Sequence, residues 1–188
     1  MIKIGITGSI ASGKTTASKI LSYKRGPLFS ADNEVHKLYK NDIFKKLLIK
    51  EFKIEKKSHL KDILIKKIIK NKKNIKKLEK IIHPIIRNQM KRFVISNKKK
   101  EKLFFEIPLL FESKLMNYFD IIIFVKANKR TRLKRFKAKG GDNKLFNLLN
   151  KKQLSNKNKE KFSNHIVVNE KNLNILKKKL LDIIKLYV

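Results

Sequence analysis

The chain has 188 residues, which suits one domain with a sizeable core, and it has no cysteine, which excludes a disulfide framework, a thiolate zinc site and a cysteine nucleophile. Its formal net charge of +34 invites a nucleic-acid reading, yet 43 of the 49 basic residues are lysines scattered in runs such as Lys45-Lys46, Lys66-Lys67 and Lys98-Lys99-Lys100, without one cationic stripe interleaved with aromatics. No stretch of about 18 apolar residues offers a membrane span, and the opening Met1-Ile2-Lys3-Ile4 is too soon charged for a signal-peptide core, so a cytoplasmic protein is expected.

Residues Ile2 to Thr7 alternate apolar with small or polar side chains and predict a short strand, followed by a glycine-bearing turn and a helix over Lys14 to Leu21. Pro27-Leu28-Phe29 predicts a second strand running into Ser30-Ala31-Asp32, with Asp32 at its carboxyl end, the edge where open α/β sheets hold ligands. From Asn33 to about Asn97 the apolar positions recur at helical spacing, among them Ile63, Leu64, Ile68, Ile75, Leu78, Ile81, Ile82 and Ile85, and Pro84 is expected to kink or restart a helix.

Leu103 to Ile107 and Ile121 to Val125 are apolar nearly throughout, as central parallel strands tend to be. A helix is predicted from Lys129 to Lys139, a break at Gly140-Gly141, a polar lysine- and asparagine-rich stretch to Asn164, a last strand at His165 to Val168, and a closing helix over Leu173 to Leu186. Strands alternating with helices predict an α/β fold with a five-stranded parallel sheet covered on both faces.

Gly8-Ser9-Ile10-Ala11-Ser12-Gly13-Lys14-Thr15 matches G-x-x-x-x-G-K-[ST] in full, between a predicted strand and a predicted helix, the context this P-loop motif requires. Glycines let backbone N–H groups turn toward phosphate, the helix N-terminus adds positive potential, Lys14 reaches β- and γ-oxygens, and the Thr15 hydroxyl can ligate Mg²⁺. The expected phosphate-binding set is Gly8, Ala11, Ser12, Gly13, Lys14, Thr15 and Thr16, with ATP as ligand. There is no Asn-Lys-x-Asp guanine-reading pattern and no room for a large mechanical domain, so a small-molecule kinase leads. Asp32 has two readings, a base for an attacking hydroxyl and a helix N-cap.

Beyond the P-loop, Ser30-Ala31-Asp32 leads into a stretch holding His36 and Leu38-Tyr39. His83-Pro84-Ile85-Ile86-Arg87 follows, then Glu106-Ile107-Pro108-Leu109-Leu110-Phe111-Glu112, Arg132 and Arg135, and the spaced Gln153, Lys159 and Asn169. In these stretches the sequence closely resembles the dephospho-coenzyme A kinases, over nearly its whole length.

The resemblance implies phosphoryl transfer from MgATP to the ribose 3′-hydroxyl of dephospho-coenzyme A, with Asp32 as base and His83 and Arg87 along the acceptor. It implies Arg135 as a lid cation on the transferring phosphate, Asn169 at the nucleotide, and Glu106 near Mg²⁺ through water. Glu106 stands where the family usually has Asp, and a structural carboxylate bonded to the P-loop is its other reading. Arg135 is otherwise a surface charge, and Glu112 a local cap or ion-pair partner.

Three departures bear on acceptor affinity and turnover more than on reaction class. Lys139-Gly140-Gly141 replaces an Arg-Asp of the lid, Leu60-Lys61-Asp62 replaces Leu-Asp-Arg, and Ser163-Asn164 replaces Ala-Asp.

The expectation is therefore one P-loop NTPase-fold kinase domain over residues 1–188, with a helical acceptor-binding insertion at about 40–97 and a lid at about 138–163. The rivals are a nucleoside or nucleoside-monophosphate kinase and, from another class, an RNA-binding protein on a P-loop scaffold. No specific nucleic acid is expected as a partner, only incidental adhesion to RNA.

Overall fold

A computed structural model describes residues 1–55, 60–71 and 73–187. The chain divides into two compact units, one of residues 1–30 with 94–188 and the other of residues 31–93.

The first unit is built on five parallel strands, β1 (Ile2–Gly8), β2 (Leu28–Ser30), β3 (Lys102–Glu106), β4 (Ile121–Lys126) and β5 (His165–Val168), in the order β2-β3-β1-β4-β5. β1 is central, paired with β3 on one side and β4 on the other. The three inner strands are buried almost throughout, which is why they carry apolar runs instead of alternation. The P-loop leaves the carboxyl end of β1, where the strand order reverses and parallel α/β sheets hold their ligands.

Helices α1 (Lys14–Ser22) and α9 (Leu173–Lys185) share one hydrophobic core with the sheet. Ala17 and Leu21 of α1 meet Leu176, Leu180 and Ile184 of α9 among Ile4, Ile6, Ile123 and Val125. Each large side chain buried there contributes about 1.5–3 kcal/mol of transfer free energy. Phe105 contacts the rings of Phe29, Tyr118 and Phe119, centroids 5.4–5.9 Å apart.

The second unit holds α2 (Ala31–Leu38), α3 (Asp42–Phe52), α4 (Leu60–Lys70) and most of α5 (Lys73–Ser96). Its core gathers Phe44, Leu48, Phe52, Leu60 and Leu64, with Ile81, Ile82 and Ile85 of α5 packed against it. The helical spacing read in the sequence is thus realised. Pro84 does not restart the helix, because α5 runs through it for 24 residues. The ring removes one i→i−4 hydrogen bond, but its φ suits a helix, and turns on both sides keep the rod continuous.

The polar stretch after Gly140-Gly141 is also more ordered than its composition suggests. It forms α7 (Asn143–Lys152) and α8 (Asn156–Lys161), capped by the Asp142 carboxylate accepting from Leu145 N–H and the Ser155 hydroxyl accepting from Asn158 N–H. Before it, α6 (Lys129–Lys137) ends in a turn in which Gly140 takes φ +83°. Among the described residues, no helix is long and apolar enough to cross a membrane.

Candidate active site

The P-loop occupies residues 8–15, between the last residue of β1 and the first turn of α1. A Cβ at Gly8 would lie 2.7 Å from the carbonyl oxygen of Val125 and would also strike the Ser12 hydroxyl, so only glycine fits against β4. Gly13 takes φ +94° as the N-cap of α1. Ala11 also adopts positive φ, at 57°.

The start of α1 differs from the other helix starts of this unit. Among the described residues, side chains of Asn128, Asp142, Ser155 and Asn172 cap α6, α7, α8 and α9, whereas α1 starts at Gly13 with no side-chain cap. Its first-turn N–H groups, from Lys14, Thr15 and Thr16, lack the acceptors that the other starts supply, and the helix dipole adds positive potential there. A phosphate is the ligand such an end accepts best.

Glu106 ends β3 with only 1% of its surface exposed, in register with Ile6 of β1 and Ser30 of β2. The Thr15 hydroxyl donates to its Oε1 and the Ser30 hydroxyl to its Oε2 at 3.0 Å. A buried carboxylate beside the P-loop threonine is a hard-oxygen donor set that fits a divalent cation shared with nucleotide phosphates. Among the described residues no cluster of three or more His, Cys, Asp or Glu could hold a metal.

Cations and amides converge on the same loop. Arg135 Nη1 donates to Ser12 O at 3.3 Å, and Asn169 Nδ2, nearly buried, donates to the same oxygen at 2.8 Å. Ser12 is held on another side too, since its amide donates to Ser9 O at 3.1 Å, while its buried hydroxyl has no hydrogen-bond partner among the described residues.

A model of the dephospho-CoA kinase family matches residues 2–174. The chain belongs to this family. It is 33% identical to the dephospho-CoA kinase of Bartonella quintana, covering 97% of this chain and 96% of the relative. It is also 33% identical to that of Fusobacterium nucleatum, covering 94% of each. The protein TT1252 of Thermus thermophilus superposes with a TM-score of 0.82 at 24% identity, over 100% of this chain and 98% of that one. A dephospho-CoA kinase from Campylobacter jejuni superposes with a TM-score of 0.64 at 24% identity, over 97% and 95%. These two solved structures bear on the fold, a P-loop kinase α/β fold. Kinases of this kind work on ATP with a divalent metal.

The family's segments distribute over both units. Lys14, Thr15, Glu106, Arg135 and Asn169 lie in the first unit, with Arg135, Asn169 and Glu106 bonded to the loop or its threonine. Asp32 is the second residue of α2, exposed, in the second unit. His83, half-buried, and Arg87, exposed, are four residues apart on α5 and so share one face.

Several bonding partners in this site were not foreseen by sequence reasoning. Ser30 is one, since nothing in a short apolar strand marks its hydroxyl as a donor to Glu106. Gln153 Oε1 accepts from Ile10 N–H at 2.9 Å, and Asn156 Oδ1 accepts from the Ser9 hydroxyl at 2.7 Å. Arg132, 4% exposed, donates to Asn150 Oδ1 at 2.8 Å and Ala127 O at 3.1 Å, with its guanidinium 5.6 Å from the Phe146 ring centre. For Gln153 and Arg132 the sequence signal was their place in the family pattern, which says where a residue recurs and not what it bonds; Asn150 and Asn156 carried no such signal. Asn164, one of the departures, pairs with β4 through Ile122, its Oδ1 accepting from Ile122 N–H at 2.7 Å. An acceptor oxygen is what that position uses, and Asn supplies one as Asp does.

Proposed function

We infer that the protein transfers the γ-phosphoryl group of ATP to the ribose 3′-hydroxyl of dephospho-coenzyme A, giving coenzyme A and ADP in the last step of coenzyme A biosynthesis. The observation that carries the acceptor is the family match across residues 2–174, since a P-loop alone leaves the acceptor open. Reaction class rests on the uncapped start of α1 and the Thr15–Glu106 pairing beside it.

In this reading the first-turn amides of α1 and the backbone of residues 8, 11, 12 and 13 cradle the phosphates, Lys14 neutralises β- and γ-oxygens, and Arg135 adds charge at the transferring group. Thr15 and Glu106 would hold Mg²⁺, Glu106 through water, and the ion would supply charge neutralisation on the phosphate oxygens. Asn169 supports the nucleotide loop. His83 and Arg87 bind the acceptor, and Asp32 takes the proton of its 3′-hydroxyl as the new oxygen–phosphorus bond forms and the bond to the β-γ bridging oxygen breaks, leaving ADP. Most of the rate enhancement comes from alignment and charge, with little covalent work for the protein.

The insertion at about 40–97 carries the acceptor, and residues 138–163 form the lid, with Lys139-Gly140-Gly141 as a looser hinge than an Arg-Asp pair. The protein works in the cytoplasm, and its +34 charge is a solvated surface to which RNA adheres only incidentally. An acceptor panel tests the reading: kcat/KM for dephospho-coenzyme A should exceed that for deoxyadenosine, AMP and shikimate by at least about a hundredfold, the scale of discrimination open to a site built around one hydroxyl acceptor. Comparable rates with a nucleoside or nucleotide would move the protein to another acceptor class.

A further inference from the structure

Lys159 on α8 is fully buried, an unusual place for a lysine. Its Nζ lies 2.9 Å from Glu112 Oε1, and Glu112 is the one carboxylate paired with it among the described residues. Burial pushes the Lys159 pKa down, the Glu112 carboxylate opposes that, and the cations of Lys14 and Arg132 push it down further.

Glu112 does a second thing. Its Oε1 also accepts from Leu154 N–H at 2.8 Å. One carboxylate oxygen therefore fixes two points of residues 153–159, and the residues that hold the P-loop stand beside those points. Gln153, bonded to Ile10 N–H, precedes Leu154; Asn156, bonded to the Ser9 hydroxyl, lies three residues before Lys159 on the same short helix.

Glu112 is itself seated on a firm support. Leu110 and Phe111 before it are buried, and Ser113 N–H donates to Leu109 O at 2.8 Å. The other oxygen, Oε2, is buried with no hydrogen-bond partner among the described residues. A fully buried lysine cation so sparingly satisfied stabilises a fold poorly compared with an apolar side chain of similar volume, so the value of the pair is better sought in what it positions.

We propose that the ion pair between buried Lys159 and partly exposed Glu112 is a positioning device for the nucleotide loop, fixing residues 153–159 so that Gln153 and Asn156 hold Ser9 and Ile10 in the shape that receives ATP. Lys159 acts through Gln153 and Asn156 and touches no substrate. The proposal rests on the reading of residues 8–15 as the ATP site.

The test measures ATP affinity by calorimetry and the KM values for ATP and dephospho-coenzyme A on the full chain, at a temperature where melting curves show each variant folded. Lys159→Met and Glu112→Gln should each weaken ATP binding by about tenfold, the scale of one or two lost hydrogen bonds, with the acceptor KM changed less than about twofold. Their double variant should be no worse than the poorer single, as expected for one coupled unit. Because breaking this pair can prevent folding, the double variant Gln153→Ala/Asn156→Ala, which strands no buried charge, serves as the second probe and should reproduce the ATP defect.

ATP affinity equal to wild type in Lys159→Met, or in Gln153→Ala/Asn156→Ala, overturns the positioning role. Equal losses in both KM values overturn it as well, since a merely destabilised fold would produce them. Failure of the wild-type protein to bind ATP overturns the reading of the loop itself.

Discussion

Gly13→Ala makes the strongest demand on the P-loop geometry. Gly13 sits at φ +94° and ψ 20°, where a side chain costs about 1–2 kcal/mol. The new Cβ would collide with Asn169 Nδ2, with Arg135 Nη1 3.9 Å away, so Asn169 must leave its 2.8 Å bond to Ser12 O. Losing that bond adds about 1 kcal/mol. The sum of about 2–3 kcal/mol corresponds to about a 30- to 150-fold loss of ATP affinity if the whole cost falls on the binding-competent loop. If it falls on folding instead, the melting temperature drops by about 4–12 °C for a chain of this size. Calorimetric titration with ATP and thermal melts of the same sample separate the two. Adding Asn169→Ala removes the collision and should make the pair less than additive. ATP affinity within about threefold of wild type together with an unchanged melting temperature would refute the reasoning.

Asp32→Asn should lower turnover by at least about a hundredfold, the usual span of a positioned base, while ATP affinity stays near wild type; full turnover in this variant removes Asp32 from the role. Glu106→Gln keeps the shape but not the charge beside Thr15 and Ser30, so turnover should fall about tenfold or more and the Mg²⁺ concentration for half-activity should rise. An unchanged metal requirement would assign Glu106 to structure alone. Half-buried His165, its Nε2 2.6 Å from the Tyr187 hydroxyl, has its pKa lowered by burial. The unfolded chain therefore binds this proton more readily, and stability should fall as pH drops through about 6.5 toward the folded-state value. His165→Gln should flatten that part of a stability-versus-pH curve, and an unaltered slope contradicts the assignment.

The sheet was legible because its inner strands are buried on both faces and therefore apolar without interruption, and because the P-loop motif pins the turn after β1. Helical spacing in residues 60–97 was legible for the same reason, since one face of each helix meets a core. The restart expected at Pro84 did not occur because a proline signal is local, while α5 persists through bonds on either side. Residues 142–161 misled in the opposite direction: lysine and asparagine dominate the composition, and the decisive signals were small ones, the caps Asp142 and Ser155 and the buried Phe146. The partners of the P-loop were hardest to read. Ser30, Gln153 and Asn156 are ordinary polar residues whose role exists only once β2 meets Glu106 of β3 and the segment from the end of α7 into α8 meets the loop after β1. Lys159 could be aligned to a family position, yet nothing in the sequence signalled its burial against Glu112.

The central claim is best tested by the product. Purified protein incubated with MgATP and dephospho-coenzyme A should release ADP only when the acceptor is present, and mass and phosphorus resonance spectra should show one added phosphoryl group on the ribose 3′-oxygen. ADP release that ignores the acceptor, or a phosphate found on any other oxygen, would contradict the account.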